Sequence, residues 1–122
     1  YWDVCRQQRI PTLTFATAGW DPRPRVEHPV PWISVEARPD PVPPAEQQPL
    51  VDAVTATPEQ LAQHLQDAIH WTGNNRDLNP ANAIIVYGWN ENDEGGWLIP
   101  TLDPNGQPDR SRLDAISQVL RR

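Results

Sequence analysis

The residues best able to do chemistry lie in the stretch Tyr87–Gly96, YGWNENDEGG. It begins within the apolar run AIIVYGW (Ala83–Trp89) and brings Glu91, Asp93 and Glu94 within four residues, then two glycines. Like charges held close together are costly, so a cluster of this kind at a strand end needs a reason. Glu91 and Glu94 are three apart, and in an extended strand such positions point to opposite faces. Both can serve one site if the chain leaves the strand just after Glu91. Asn92-Asp93 and Gly95-Gly96 are turn formers that allow this. Two convergent carboxyl groups are what glycoside hydrolysis requires, one of them giving and taking a proton at the leaving oxygen. Proximity of two acids also separates their pKa values and supplies a usable acid near neutral pH.

A second strand end has a similar character. Thr12–Trp20, TLTFATAGW, is rich in β-branched residues and runs into Asp21-Pro22-Arg23. Parallel sheets and barrels gather their sites at the C-terminal ends of strands. Trp20, Asp21 and Arg23 from one strand end and Tyr87, Trp89 and Asn90 around the other form a sugar-binding set: indole faces for pyranose C–H surfaces, carboxylate, carboxamide and guanidinium for hydroxyls. Two other readings compete for the acidic cluster. In a calcium loop beginning at Asn90, Gly95 falls on the glycine position, but the twelfth position is Thr101 instead of a bidentate Glu. A solvated acidic turn is the other alternative. His28, His64 and His70 show no mutual ligand spacing, and no metal or other cofactor is expected.

The elements that must position these residues follow from pattern. Tyr1–Arg9 reads as the tail of a helix. Residues 27–56 form a long proline-rich loop within a single domain spanning residues 1–122. Such loops are either functional or linker-like, and Trp32 and Ile33 favour one that packs. Thr57 is an N-cap, Pro58 suits the first helical position and Gln60 completes a capping box. Leu61, Leu65, Ala68 and Ile69 then make one apolar stripe, and Gly73 is the expected stop. Ala83–Trp89 reads as a strand apolar on both faces, as a buried parallel strand should be. Thr101–Asp109 is turn-rich, and Asp109 can cap a last helix carrying Leu113, Ile116, Val119 and Leu120. Alternating strands and helices predict an α/β fold of parallel βαβ units. Two strands do not make a stable parallel sheet alone and a (β/α)8 barrel needs about 250 residues. The expectation is therefore a partial barrel, with its edges covered by the remaining strands or by self-association.

Composition narrows the function class. The chain has 122 residues and a formal net charge of -6, with a pI near 4.8. That argues against nucleic acid as a partner, since phosphate binding needs a basic face. No run is apolar for the roughly 18 residues of a membrane span, and none opens the chain as a signal peptide. There is no Met and all ten basic residues are Arg, which reads as a segment of a larger or processed product from a GC-rich genome. The single Cys5 cannot form an internal disulfide or a Cys-based zinc site.

PTLTFATAGWDPRPR followed by AIIVYGWNENDEGGWLIPT resembles the C-terminal part of the glycoside hydrolase family 99-like barrels, including the bacterial WbsX-like proteins. The family pattern near the last strand is Asn-Glu-Trp-x-Glu-Gly with a proline soon after. Asn90, Glu91, Glu94 and Gly95 match it, and Pro100 follows. The resemblance implies the last two βα units of a (β/α)8 TIM-type barrel and a hydrolase acting on oligosaccharide or polysaccharide. It implies Glu91 as the base that engages the sugar 2-hydroxyl and Glu94 as the general acid/base at the glycosidic oxygen, with a retaining mechanism through a 1,2-anhydro sugar. It also extends the sugar-binding set to Trp97. Asn92-Asp93 departs from the family's Trp-His and adds a third carboxylate. The alternatives are a non-catalytic carbohydrate-binding domain and an inactive fragment of a larger hydrolase. A polysaccharide role favours an extracellular or periplasmic setting.

Overall fold

The computed structural model describes residues 1–21 and 55–121. The elements run α1 (Trp2–Gln7), β1 (Thr14–Thr17), α2 (Pro58–Asn74), β2 (Ile84–Tyr87), β3 (Asn90–Glu91), β4 (Gly96–Trp97), β5 (Thr101–Leu102), β6 (Pro108–Asp109) and α3 (Ser111–Leu120). A single 3-10 turn, Asn92–Glu94, joins β3 to β4. Arg23 and the expected long loop 27–56, with His28, Trp32 and Ile33, lie outside the described residues, except for the end of the loop at 55–56.

β1 and β2 pair in parallel, Thr14 opposite Ile84 and Thr17 opposite Tyr87. α2 forms the connection between them and packs on one face of the pair. That face is built from small residues: Ala16, Ala18 and Ala68 are fully buried with Leu61, beside nearly buried Leu65, Leu98 and Ile116. Alanines on strand and helix let the backbones approach, and each large side chain that is removed from water contributes about 2 kcal/mol. α3 packs on the outer side of α2 through Ile116, with Leu113 and Val119 at the margin of the cluster.

α2 starts where its sequence signals place it. The Thr57 hydroxyl accepts from the Gln60 N–H at 3.2 Å, and the Gln60 side chain accepts from the Thr57 N–H at 2.9 Å. The helix runs one residue past Gly73, with Asn75 as its C-cap. Ile69 sits at the exposed margin while Thr72 is buried in its place on the stripe. The reason is a polar core. Thr14 and Thr72 hydroxyls bond at 2.6 Å, and Asn79, fully buried, donates to both and to the Ala83 carbonyl at 2.8 Å. This network ties the start of β1, the end of α2 and the entry to β2 together.

Two expectations are corrected. The strand Ala83–Trp89 is not buried on both faces: Ile85 is 46 % exposed and Phe15 on β1 is 40 % exposed. α2 packs on one face of this two-stranded sheet, and on the other Phe15 and Tyr87 stack with centroids 5.8 Å apart. The strands are also shorter than read, because Gly88 at φ 95° turns the chain after Tyr87. Thr101–Asp109 is a hairpin as well as a loop, β5 pairing antiparallel with β6. Its tip is an Asp103 turn in which the carboxylate accepts from the N–H groups of Asn105 and Gln107. Arg110, not Asp109, is the N-cap of α3, because its carbonyl accepts the first helical bond, from the Asp114 N–H; Asp109 sits one residue earlier, and its carboxylate accepts from the Ser111 N–H at 2.8 Å. Among the described residues the chain holds one parallel strand pair.

Candidate functional site

The two parallel strands end side by side, and the segment after each turns toward the other. The Asp21 N–H donates to the Glu94 carbonyl at 2.6 Å, and Gly19 forms an isolated antiparallel bridge with Thr55. After β2 the chain makes the small β3–β4 hairpin, with Asn90 opposite Trp97 and Glu91 opposite Gly96. The 3-10 turn between them ends at Gly95 in the left-handed region, φ 68°. The departure from the strand that the Glu91–Glu94 spacing requires is thus present, one residue after Glu91.

Gly96 lies between two of the candidate groups, Tyr87 and Glu91. A Cβ there would stand 3.6 Å from the Tyr87 ring and 3.8 Å from the Glu91 Cβ, and 3.2 Å from the Gly19 carbonyl oxygen. Tyr87 and Glu91 therefore approach across the bare glycine backbone, although they share no strand face. The Tyr87 hydroxyl donates to Glu94 Oε2 at 3.1 Å. Glu94 is 8 % exposed and Asp21 7 % exposed, while Glu91 is half-buried. A carboxylate withdrawn from water this far needs hydrogen-bond partners to be tolerated, and the phenol supplies one. The arrangement can fix one carboxyl group by a phenol and place a second, more accessible one nearby.

The remaining candidates divide. Trp20 and Trp89 are 50 % and 57 % exposed, so each presents indole surface at its strand end. Asn90 is exposed, but paired residues on an antiparallel ladder share a face, so Asn90 and Trp97 point to the side opposite Glu91 and Gly96. Trp97 is engaged there: the Arg112 guanidinium lies 4.1 Å over its ring and donates to its carbonyl at 2.7 Å. A second guanidinium nitrogen donates to the Ala56 carbonyl. Burial holds Arg112 below its ordinary pKa, opposed by the charge of Asp109. Asp109 itself is held below the ordinary 3.8, chiefly by the Ser111 backbone bond. Trp97 is thus the platform of a structural clamp joining α3, β4 and the entry to α2. Arg23 lies outside the described residues.

Among the described residues no group of three or more His, Cys, Asp or Glu side chains is arranged to hold a metal ion, and no helix is long and apolar enough to cross a membrane. A groove of about 650 Å³ runs beside the start of β1, lined by Tyr1, Trp2, Asp3, Leu13, Phe15, His64 and Trp71. Its one carboxylate, Asp3, is paired with Arg6 at 3.0 Å, so it lacks the convergent acids of the strand ends. Sequence reasoning missed three participants: the close approach over Gly96, the burial of Asp21, and Arg112. The approach over Gly96 had a visible signal in the consecutive glycines; the buried Arg112 had none, since it sits among ordinary helix residues. The chain matches no family model, no curated protein and no solved structure.

Proposed function

We propose that this chain carries the carboxylate end of a glycoside-hydrolase-like site, acting on the glycosidic bonds of an oligosaccharide or polysaccharide. The observation that carries the reading is Tyr87, which bonds Glu94 through its hydroxyl and flanks Gly96 opposite Glu91, at the C-terminal ends of two parallel strands. In this reading Glu94 is the general acid/base, oriented by the Tyr87 hydroxyl, and the more accessible Glu91 engages the sugar as the second carboxylate. Trp20 and Trp89 supply apolar surface for pyranose rings. The other strands of a (β/α)8 barrel would complete the cleft and cover the open sheet face.

The test is reducing-end release and product analysis on a panel of mannose- and glucose-based oligosaccharides, with Glu94→Gln and Glu91→Gln beside the wild type. Loss of two or more orders of magnitude in turnover with either change supports the assignment; unchanged turnover in Glu94→Gln sinks it. The half-exposed Trp20 and Trp89 favour one second reading, a carbohydrate-binding domain without hydrolysis. It predicts calorimetric binding that depends on Trp89, with no product formed.

A further inference from the structure

We propose that Gly95, with the backbone amide of Asp21, is the positioning element of Glu94, and that the side chain missing from Gly95 is what lets the two strand ends lock together. The inference rests on the reading of Glu94 as a site carboxylate. Two independent features converge on this residue. The first is its backbone, held at φ 68°, a conformation that L side chains rarely adopt. The second is space. A Cβ at residue 95 would lie 2.5 Å from the Asp21 Cβ, 2.7 Å from its backbone nitrogen and 3.0 Å from its Cα. Those atoms belong to backbone or are attached directly to it, so none can swing away as the tip of a flexible side chain would.

The nitrogen that a Cβ would strike is the one whose N–H donates to the Glu94 carbonyl at 2.6 Å. A methyl group there cannot coexist with that bond. Ordinary contact begins near 3.4 Å, so the segment 93–96 would retreat from Asp21 by about 1 Å. Glu94 is the adjacent residue and would move with it, while Tyr87 stays on β2. The 3.1 Å bond between the Tyr87 hydroxyl and Glu94 Oε2 is then lost or rearranged. Gly95 acts through Glu94 and touches no reacting atom itself.

Gly106 provides a control. It has φ 76°, yet nothing lies within 4 Å of an added Cβ. Gly106→Ala imposes similar backbone strain without the contact. Gly95→Asn is the converse: asparagine tolerates the left-handed region better than other residues, but its Cβ meets Asp21 all the same.

The experiment labels tyrosine with 13C at Cζ. The chain has two tyrosines, so Tyr1 and Tyr87 give two NMR signals. Glu94→Gln exchanges the acceptor and marks where the Tyr87 signal goes when the carboxylate bond is absent. Gly95→Ala and Gly95→Asn are expected to displace the Tyr87 signal with Tyr1 unmoved, and Gly106→Ala to leave both in place. A Tyr87 signal unchanged in both Gly95 variants overturns the proposal. So does an equal displacement in Gly106→Ala, or global unfolding of both Gly95 variants, since a local latch leaves β1, α2 and α3 intact. Where the wild type turns over a glycan, Gly95→Ala is further expected to lower kcat about a hundredfold with KM little changed, the cost of a misplacement of about 1 Å. A wild type without turnover fails the functional reading alone, and the tyrosine signal still decides the role of Gly95.

Discussion

Replacing Asn79 by Ala removes the one side chain that joins the start of β1, the end of α2 and the entry to β2. Asn79 is fully buried, donates to the Ala83 carbonyl at 2.8 Å and accepts from the Ala83 N–H at 3.3 Å. It also donates to the Thr14 hydroxyl at 3.3 Å and reaches the Thr72 hydroxyl at 3.4 Å. After the substitution the two threonines keep each other at 2.6 Å, but both backbone groups of Ala83 lose their partner. Each unsatisfied group costs about 1–3 kcal/mol, at the lower end here because Ala83 is near the surface. The small cavity left in a closed site adds about 1 kcal/mol. The expected loss is about 2–4 kcal/mol, which for a chain of this size is about 8–15 °C in Tm. Chemical denaturation followed by far-UV circular dichroism, with a thermal melt beside it, reads both quantities. Asn79→Asp separates packing from hydrogen bonding: its shape is nearly the same, but its oxygens face the Thr14, Thr72 and Ala83 oxygens. It is expected to destabilise at least as much as Asn79→Ala. A loss under about 0.5 kcal/mol in Asn79→Ala, or a neutral Asn79→Asp, would refute the reasoning that this network holds the strand pair to α2.

Two further outcomes follow from the Arg112 clamp and the Asp109–Ser111 bond at the start of α3. Arg112→Ala removes two bonds to backbone carbonyls and the stack on Trp97. It is expected to cost about 2–4 kcal/mol by denaturant titration, and Arg112→Lys to recover less than half of it, because an ammonium lacks the planar fork. Asp109 has a folded pKa below its ordinary 3.8. Its bond to the Ser111 N–H therefore stabilises the fold above that value, and the contribution disappears as pH falls through the lower folded pKa. Thermal melts across the acid range should show Asp109→Asn less stable than wild type near neutrality, the gap closing as the medium becomes more acid; a gap independent of pH would contradict the assignment.

Much of the fold was legible because local rules and packing agreed. Thr57, Pro58 and Gln60 announce the start of α2, and the structure builds the capping box they encode. The alternation of β1, α2 and β2 announced a parallel pair, and the register between Thr14–Thr17 and Ile84–Tyr87 realises it. The exposure of Ile85 and Phe15 was not legible, because an apolar strand says that both faces can be covered and not what covers them. Nor was the Thr14–Thr72–Asn79 network: threonine in a strand, threonine in a helix and asparagine in a loop are each unremarkable until the fold brings positions 14, 72 and 79 together. At the site, the spacing of Glu91 and Glu94 required a turn between them, and the 3-10 turn is there. The expected strand Ala83–Trp89 stops at Tyr87 because Gly88 turns the chain, and Tyr87 and Glu91 come to flank Gly96 from different strands. The resemblance put Trp97 in the cleft; ladder parity turns it toward Arg112.

The central claim, that carbohydrate is held at the C-terminal ends of β1 and β2, is tested most directly through the tryptophan indole N–H signals. The chain has six tryptophans. In a 15N-edited NMR titration with mannose- and glucose-based oligosaccharides, the signals of Trp20 and Trp89 are predicted to move in a saturable way, with Trp2 and Trp71 unmoved. Abolition of the Trp89 shift in Glu94→Gln or Glu91→Gln would tie the sugar to the carboxylates. Saturation without any movement at Trp20 or Trp89, or movement confined to Trp2 and Trp71 in the groove beside the start of β1, would contradict the account.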